Sequence, residues 1–303
     1  MTAKARQVAH SLEITHQDKN FFPEDRVTKG DIADYYQTIA DVMMPYVKDH
    51  PVNLLRHPNG IKGESFFQKD MTETAPAWAK TVTVYSESNQ KNIEYLVCKD
   101  TQTLLYQVQL GCIEINPWLS KSSSIDRPEW LVLDLDPEKI GFEQVIRAAQ
   151  AIRKLLDKLE LISYPKTSGK TGLHVYLPLG AKYSFKQSTD FAHALVDIIN
   201  QQLLSITSTA RSPSKRQGKI YLDYLQNRKG QTVAAPYSLR PVDGAAVAAP
   251  LEWSEVKRGL DPQKFNIKTI FKRLDKKGDL MKPMLRRSID LRGALKAIEG
   301  YST

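Results

Sequence analysis

Glu129-Trp130-Leu131-Val132-Leu133-Asp134-Leu135-Asp136-Pro137 is the stretch on which the reading of the fold turns. Trp130 to Leu133 is a short apolar, partly β-branched run, and Pro128 and Pro137 bracket the segment. That pattern predicts a buried strand with abrupt ends. Asp134 and Asp136 stand two apart at its C-terminal end, so strand alternation sends both side chains to one face. Two carboxylates on one face of a partly dry site repel each other unless a cation lies between them. Mg²⁺ and Mn²⁺ are hard ions that take such oxygen ligands. Two solvated acids at a strand exit are the plainer reading of an isolated Asp-x-Asp, so the surrounding chain has to decide.

Downstream, Phe142 to Leu161 predicts a helix. Val145, Ala148, Ala149, Ile152, Leu155, Leu156 and Leu159 form its apolar stripe, opposed by Arg147, Arg153, Lys154 and Lys158. Ser163 to Pro178 then reads as strand, turn and strand. Its middle, Ser168-Gly169-Lys170-Thr171-Gly172, is rich in small and hydroxyl residues, and His174 opens the second strand. Such a loop can wrap a phosphate with backbone N–H groups and hydroxyls. It is not a P-loop, because no Lys-Ser/Thr pair and no helix follow Gly172; an ordinary hairpin connection is the competing reading. Phe191 to Leu203 is helical in spacing. A basic loop with Arg211, Lys215 and Arg216 leads into Ile220-Tyr221-Leu222-Asp223-Tyr224, a second apolar strand ending in a carboxylate. Leu251–Leu260 and Ile267–Lys277 read as short cationic surface helices, and the last twenty residues as a basic helical tail that the core can do without.

Upstream, Leu12 to Thr15 alternates like a first strand. Thr28 is placed as an N-cap, with Asp31 standing in for the capping-box Glu. Ile32, Tyr35, Tyr36, Ile39, Val42 and Met43 follow at helical spacing. Lys29 therefore falls in a first turn, where the helix dipole disfavours a cation unless an anion binds beside it; free solvation is the simpler account. Val52–Arg56 reads as a strand before the turn His57-Pro58-Asn59-Gly60. In Phe66-Phe67, alternation predicts one ring exposed and one buried. An exposed ring between Arg56 and Lys69 would suit stacked bases and phosphates, whereas burial of both rings is the alternative. Residues 81–113 read as three strands, Thr81–Tyr85, Ile93–Val97 and an irregular one from Leu104 to Ile113.

The bulk properties suit a folded chain. It has 303 residues, 41% of them hydrophobic and 25% charged, enough for one large α/β domain or two lobes. Its net charge of +9 favours a polyanionic partner, nucleic acid before an anionic membrane. Cys98 and Cys112 have no metal-ligand spacing and are expected as buried free thiols in a reducing compartment. No signal-peptide core and no membrane-length apolar run is present, so the expected location is cytoplasmic, at the nucleoid.

A third acid, Asp223, at the end of a separate strand turns the Asp134/Asp136 pair into a possible triad. Three carboxylates are what a two-metal site for in-line phosphoryl or nucleotidyl transfer needs: one ion activates a hydroxyl, and the other steadies the triphosphate and leaving pyrophosphate. The supply of Ser168, Lys170, Thr171, His174, Arg216 and Arg240 would suit the triphosphate.

The motifs in combination are specific. They are D-K-x-x-F-P from Asp18, T-K-G-D-I-A-D-Y-Y from Thr28, R-H-P-N-G from Arg56 and F-F-Q-K from Phe66. E-I-N-P-W from Glu114, L-D-L-D-P from Leu133, S-G-K-T-G-L-H-V-Y-L-P from Ser168, Y-L-D-Y-L-Q-N from Tyr221 and P-Y-S-L-R from Pro236 follow. From about Leu12 to Leu280 the chain resembles the archaeo-eukaryotic primase superfamily, most closely the polymerase domain of bacterial ligase D in non-homologous end joining. The resemblance implies a mixed α/β fold with antiparallel and mixed sheets flanked by helices. Its domain would span residues 1–285, with a DNA-contacting part at 1–80, a catalytic core at 81–250, a basic helical end at 251–285 and a basic tail at 286–303. It implies a template-dependent nucleotidyltransferase that fills gaps and extends ends at DNA breaks, uses Mn²⁺ or Mg²⁺ and prefers ribonucleotides. Its partners would be DNA gaps or ends with a 5′-phosphate, NTP or dNTP, and end-joining ligase and nuclease domains or Ku.

Carried over position by position, the resemblance makes Asp134, Asp136 and Asp223 the metal-binding acids. Asn116, Ser168, Lys170, Thr171, His174, Arg216, Gln226 and Arg240 fall where the incoming nucleotide is held. Phe66 and Phe67 match a stacking pair, with Arg56 beside them, and Lys19 and Lys29 match lysines that hold a 5′-phosphate. Three positions depart from the pattern. Asn116 stands where many relatives carry a histidine (E-x-H-x-W), and an amide cannot take a proton charge. Lys170 lies one place before the usual lysine, leaving Thr171 there. Leu55 stands where some relatives have a second cation. A phosphatase of the haloacid dehalogenase kind fits less well, since Glu138 stands where it needs a threonine or valine. A non-catalytic DNA-end module of the same fold would have no need of three clustered acids.

Overall fold

The computed structural model of the chain describes residues 12–87 and 89–299; the outer limits expected for the domain and its tail, residues 1–11 and 300–303, lie outside them. The chain runs β1 (Asn20–Phe22), β2 (Val27–Thr28), α1 (Lys29–Val47), β3 (Leu54–Arg56), β4 (Phe66–Gln68), β5 (Thr81–Ser86), β6 (Lys91–Leu96) and α2 (Thr101–Gln109). It continues β7 (Trp130–Pro137), α3 (Phe142–Lys158), β8 (Tyr164–Thr167), β9 (Leu173–Pro178), α4 (Phe185–Gln202), β10 (Thr207–Ser208), β11 (Ile220–Asp223), α5 (Ile270–Lys277) and α6 (Leu291–Glu299). The mixed α/β architecture expected from the sequence is the one found. No helix among the described residues is long and apolar enough to cross a membrane.

The Asp-x-Asp segment is the middle strand of a five-stranded sheet ordered β10-β11-β7-β9-β8. β7 is antiparallel to both β11 and β9, and only β10 runs parallel to its neighbour. Alternation along β7 divides its side chains cleanly. Leu131, Leu133 and Leu135 enter an apolar cluster with Val145, Ile152 and Leu156 of α3 and Phe191, Leu195 and Ile199 of α4. Burying each such leucine is worth roughly 1.5–3 kcal/mol. Trp130 and Val132 face the other way, into a second cluster built around Ile32, Tyr36, Ile39 and Met43 of α1. The sheet thus separates two cores, and the acids lie on the α1 side. Past the end of β11, the Asn227 side chain extends the ladder: its Oδ1 accepts from Val132 N at 2.8 Å and its Nδ2 donates to Val132 O at 2.7 Å.

Other local readings hold with small shifts. The Thr28 capping box forms: Thr28 Oγ1 accepts from Asp31 N, and Asp31 Oδ2 accepts from Thr28 N. Cys98 and Cys112 are buried free thiols.

Several expectations are corrected. Leu12–Thr15 is not a strand, because nothing pairs with it; Thr15 N instead donates to the Gln109 side chain. The stretch from Leu104 is not a strand but the body of α2. Asp100 caps that helix by accepting from Thr103 N, and Leu104 and Val108, one turn apart, are both buried. Leu251–Leu260 holds only a 3₁₀ turn, Trp253–Glu255. Phe66 and Phe67 are both exposed, at 47% and 62%: β4 pairs only with β3, so neither face of that ribbon is covered there. The segment after 286 is no loose tail, since Leu291, Ala294 and Ile298 of α6 are buried in the cluster behind the sheet.

Candidate active site

Register builds the site. Asp223 of β11 lies directly opposite Asp134 of β7, Asp134 directly opposite His174 of β9, and His174 directly opposite Lys166 of β8. Residues paired across antiparallel strands share a face, so Asp223, Asp134, His174 and Lys166 form one row across the sheet. Asp136, opposite Tyr221, lies on the same face two residues along. The strand order, which no local reading predicts, is what brings these residues together.

The row is electrically strained. Burial, then the charges of Asp223 and Asp136, push the Asp134 carboxyl up to about 7. Asp136 and Asp223 are also raised, each chiefly by burial. Burial, then Lys166 and Arg240, holds His174 well below the usual imidazole range, so it is neutral; its Nε2 lies 3.3 Å from Asp134 Oδ1. Lys166 is fully buried and its ammonium is pushed down by burial.

Each acid has its own protein contacts. Asp223 accepts from Leu225 N at 2.8 Å, Tyr221 Oη at 3.2 Å and Gln226 Nε2 at 3.1 Å. Asp136 Oδ2 lies 3.8 Å from Arg216 Nη1, whose guanidinium sits 3.9 Å over the Tyr221 ring centroid. Among the described residues, no group of three or more His, Cys, Asp or Glu side chains is gathered so that it could hold a metal ion as it stands. The sheet supplies instead three hard oxygen donors on one face, whose mutual repulsion a divalent cation would relieve. The chemistry of these donors suits such an ion.

The Ser168–Gly172 loop lies beside the row. Ser168 Oγ accepts from the backbone N–H of Lys170 and Gly172, at 3.2 and 3.0 Å. Gly172 approaches so closely that a Cβ would stand 2.2 Å from Leu135 O, and Gly169, at φ +73°, would put one against the Arg240 side chain. The loop is thus locked onto β7 and Arg240. Lys170 is half-buried and pushed down by burial and then Arg240, with Glu114 and Asp136 acting the other way, whereas Thr171 is exposed. A cavity of about 160 Å³ has Asp134, His174, Asn116, Glu114, Gln226 and Arg240 in its walls, with Phe67 at its edge.

Glu114 was not a sequence candidate. Its ion pair with Arg240, 2.9 Å from Nε to Oε2, joins residues 126 positions apart, and no local signal announces it. A neighbouring cavity of about 250 Å³ is walled by Arg211, Arg216 and Arg228 beside Asp223; Arg211 and Arg228 were visible only as charges in loops.

Of the predicted DNA-contacting residues, Phe67 reaches the cavity that Asp134 lines; the others are held by contacts of their own. Arg56 is anchored, its Nε donating to Leu110 O and its Nη1 to Gln68 Oε1, with the guanidinium 5.2 Å from the Phe66 ring centroid. Lys19 Nζ donates to Asn59 Oδ1. Lys29 is buried, contrary to a solvated reading. Its ammonium donates to Thr15 O, Gln109 O and Gln109 Oε1, and burial and then the charge of Lys19 lower it.

Residues 28–281 match the family described as LigD, primase-polymerase domain. The chain belongs to that family. It is 34% identical over 277 residues to the bifunctional non-homologous end joining protein LigD of Bacillus subtilis, covering 90% of this chain and 44% of that protein. It is 32% identical over 278 residues to the multifunctional LigD of Mycolicibacterium smegmatis, covering 90% and 36%. The chain therefore spans less than half the length of these LigD proteins. Among solved structures it resembles the polymerase domain of Mycobacterium tuberculosis ligase D in complex with DNA, with a TM-score of 0.83, 29% identity and coverage of 92% of this chain and 99% of that one.

Proposed function

We propose that this LigD primase-polymerase domain is a template-dependent nucleotidyltransferase that fills gaps and extends ends during non-homologous end joining. One observation carries the reading: Asp134 and Asp223 are cross-strand partners, with Asp136 on the same face, beside a pocket walled by Arg240 and His174. Asp134, Asp136 and Asp223 would hold Mn²⁺ or Mg²⁺, as a two-metal site. Bound there, such ions lower the pKa of a primer hydroxyl and neutralise charge on the triphosphate. The protein's own part is positioning. Ser168, Lys170, Arg216 and Arg240, with Asn116, Gln226, His174 and the neighbouring Thr171, would orient the incoming nucleotide, for which we propose a ribose preference. Phe66 and Phe67 would stack on bases, with Arg56 beneath them. Lys19 and Lys29 would hold a 5′-phosphate across a gap, Lys29 by releasing one of its present acceptors.

Because the chain spans less than half of its LigD relatives, joint action with ligase and nuclease domains or with Ku, at the nucleoid, is part of the proposal. The domain would run to 285 in the three parts expected from sequence, to which α6 now adds a packed C-terminal helix.

The test is primer extension on a gapped duplex bearing a 5′-phosphate, with each metal and with NTP or dNTP. Wild type should add templated nucleotides. Asp136→Ala should abolish extension while binding the same DNA with little change. Extension at wild-type rate by Asp136→Ala would remove the metal assignment; DNA binding without extension by the wild type would favour a non-catalytic end-binding module.

A further inference from the structure

Glu114 lies in the Glu-Ile-Asn-Pro-Trp segment and is 6% exposed. Its two carboxylate oxygens have separate duties. Oε1 accepts from Asn116 Nδ2 at 3.0 Å, and Oε2 accepts from Arg240 Nε at 2.9 Å. Arg240 Nη1 then donates to Ser168 O, at the start of the loop whose N–H groups are gathered on Ser168 Oγ. A buried carboxyl alone would rise; here Arg240 and Asn116 outweigh burial and hold Glu114 below the usual carboxylate range, so it is ionised.

We propose that Glu114 is the positioning residue of the nucleotide cradle, fixing both the Arg240 guanidinium and the polarity of the Asn116 amide. The inference rests on reading this pocket as a nucleotide site. An ionised carboxylate only accepts hydrogen bonds, so Asn116 must turn its nitrogen to Glu114. That leaves Oδ1 and the second Nδ2 proton of the amide for other partners, on a residue lining the cavity that also holds Asp134 and His174. Triphosphate oxygens are themselves acceptors at neutral pH, so Asn116 Oδ1 does not serve them. It serves a donor, and a nucleotide offers donors only in its sugar hydroxyls and base N–H groups. Arg240, paired and aimed at the Ser168 loop, serves the anionic end. One carboxylate thereby sorts the two walls of the pocket by hydrogen-bond sense.

Glu114→Gln separates this role from space-filling, because it keeps the shape but supplies an amide N–H. With that new nitrogen facing Asn116, the Asn116 amide would be forced over and would present a donor where an acceptor stood. Steady-state extension should show KM for the nucleotide raised about tenfold or more, with kcat within about threefold. The KM effect should shrink when Glu114→Gln is made in an Asn116→Ala background. A wild type that extends primers, with Glu114→Gln at unchanged KM, overturns the role of Glu114 alone. A wild type that extends nothing removes the nucleotide reading instead. Should Glu114→Gln fail to fold, hydrogen exchange in the ¹⁵N-labelled wild type decides. The Asn116 Nδ2 and Arg240 Nε protons should exchange far more slowly than those of exposed side chains; exchange at the exposed rate overturns the proposal.

Discussion

Asp134 is the residue on which the electrostatics of the site converge. Its carboxyl is pushed up to about 7 by burial and then by Asp223 and Asp136, whereas in the unfolded chain it titrates near the ordinary value of about 3.9. Between those two values the folded protein holds a proton that the unfolded chain has released, so stability falls as pH rises through that window. Below the window the residue has no effect; above it the full cost of burying the charge is present. Metal-free wild type should therefore melt lower at pH 8 than at pH 5, and Asp134→Asn should lose most of that slope. At pH 8 the variant should be the more stable of the two, with each kcal/mol of relieved repulsion worth roughly 2 °C. Added Mn²⁺ should raise the wild-type melting temperature at pH 8 and leave Asp134→Asn nearly unmoved. Parallel melting curves for the two proteins from pH 5 to pH 8 would show that neither burial nor the neighbouring acids destabilise the Asp134 charge. The two acids two apart on an apolar strand were legible because alternation alone puts them on one face. Glu114 and Lys166 were not, because their meaning depends on Arg240 and on the strand row, and both are set by tertiary pairing.

The β3–β4 ribbon shows what an isolated element can offer. Leu55 pairs with Phe67 and Arg56 with Phe66, and no third strand or helix closes over the phenylalanines. Two large exposed rings in so small a ribbon contribute little to folding, so Phe67→Ala should change stability by no more than about 0.5 kcal/mol in a urea titration. Base–aromatic stacking is worth about 1–3 kcal/mol per base, so the same variant should bind gapped DNA about tenfold more weakly. Equal affinity of wild type and Phe67→Ala for that DNA would reject stacking by this ring. The sequence reading put one ring or both in the core here, and the reason for the miss is physical: alternation assigns opposite faces but cannot say whether either face is covered. The same limit misread two other segments. Leu12–Thr15 alternates yet finds no partner strand, and the stretch from Leu104 to Ile113, judged as an irregular strand, begins inside a helix whose decisive signal was the Asp100 cap. Where a local signal is self-contained, as in the Thr28–Asp31 capping box or the apolar stripe of α3, the reading survived.

At the scale of the whole molecule, one sheet separates two cores, and the acids sit on the face opposite α3, α4 and α6. α6 lies beyond the 28–281 span matched to the family, and its basic sequence suggested a dispensable tail. Its inward residues say otherwise. Leu291 is 1% exposed, Ala294 and Ile298 are buried beside it, and Ile289 N donates to Pro178 O at the end of β9. Leu291 N is held by Tyr183 Oη at 3.1 Å. Removing a buried leucine side chain costs about 2–5 kcal/mol, so Leu291→Ala should lower the urea midpoint clearly. A chain ending after Arg286 should lose more, since it uncovers the cluster behind β7 and β9. Because that cluster lies across the sheet from the carboxylates, the truncated protein, assayed well below its melting temperature, should retain extension and fail early on heating. Unchanged melting in the truncated chain would show that α6 only rests on the surface. Loss of extension at low temperature, with the fold intact, would show that the rear core sets the register of the acids.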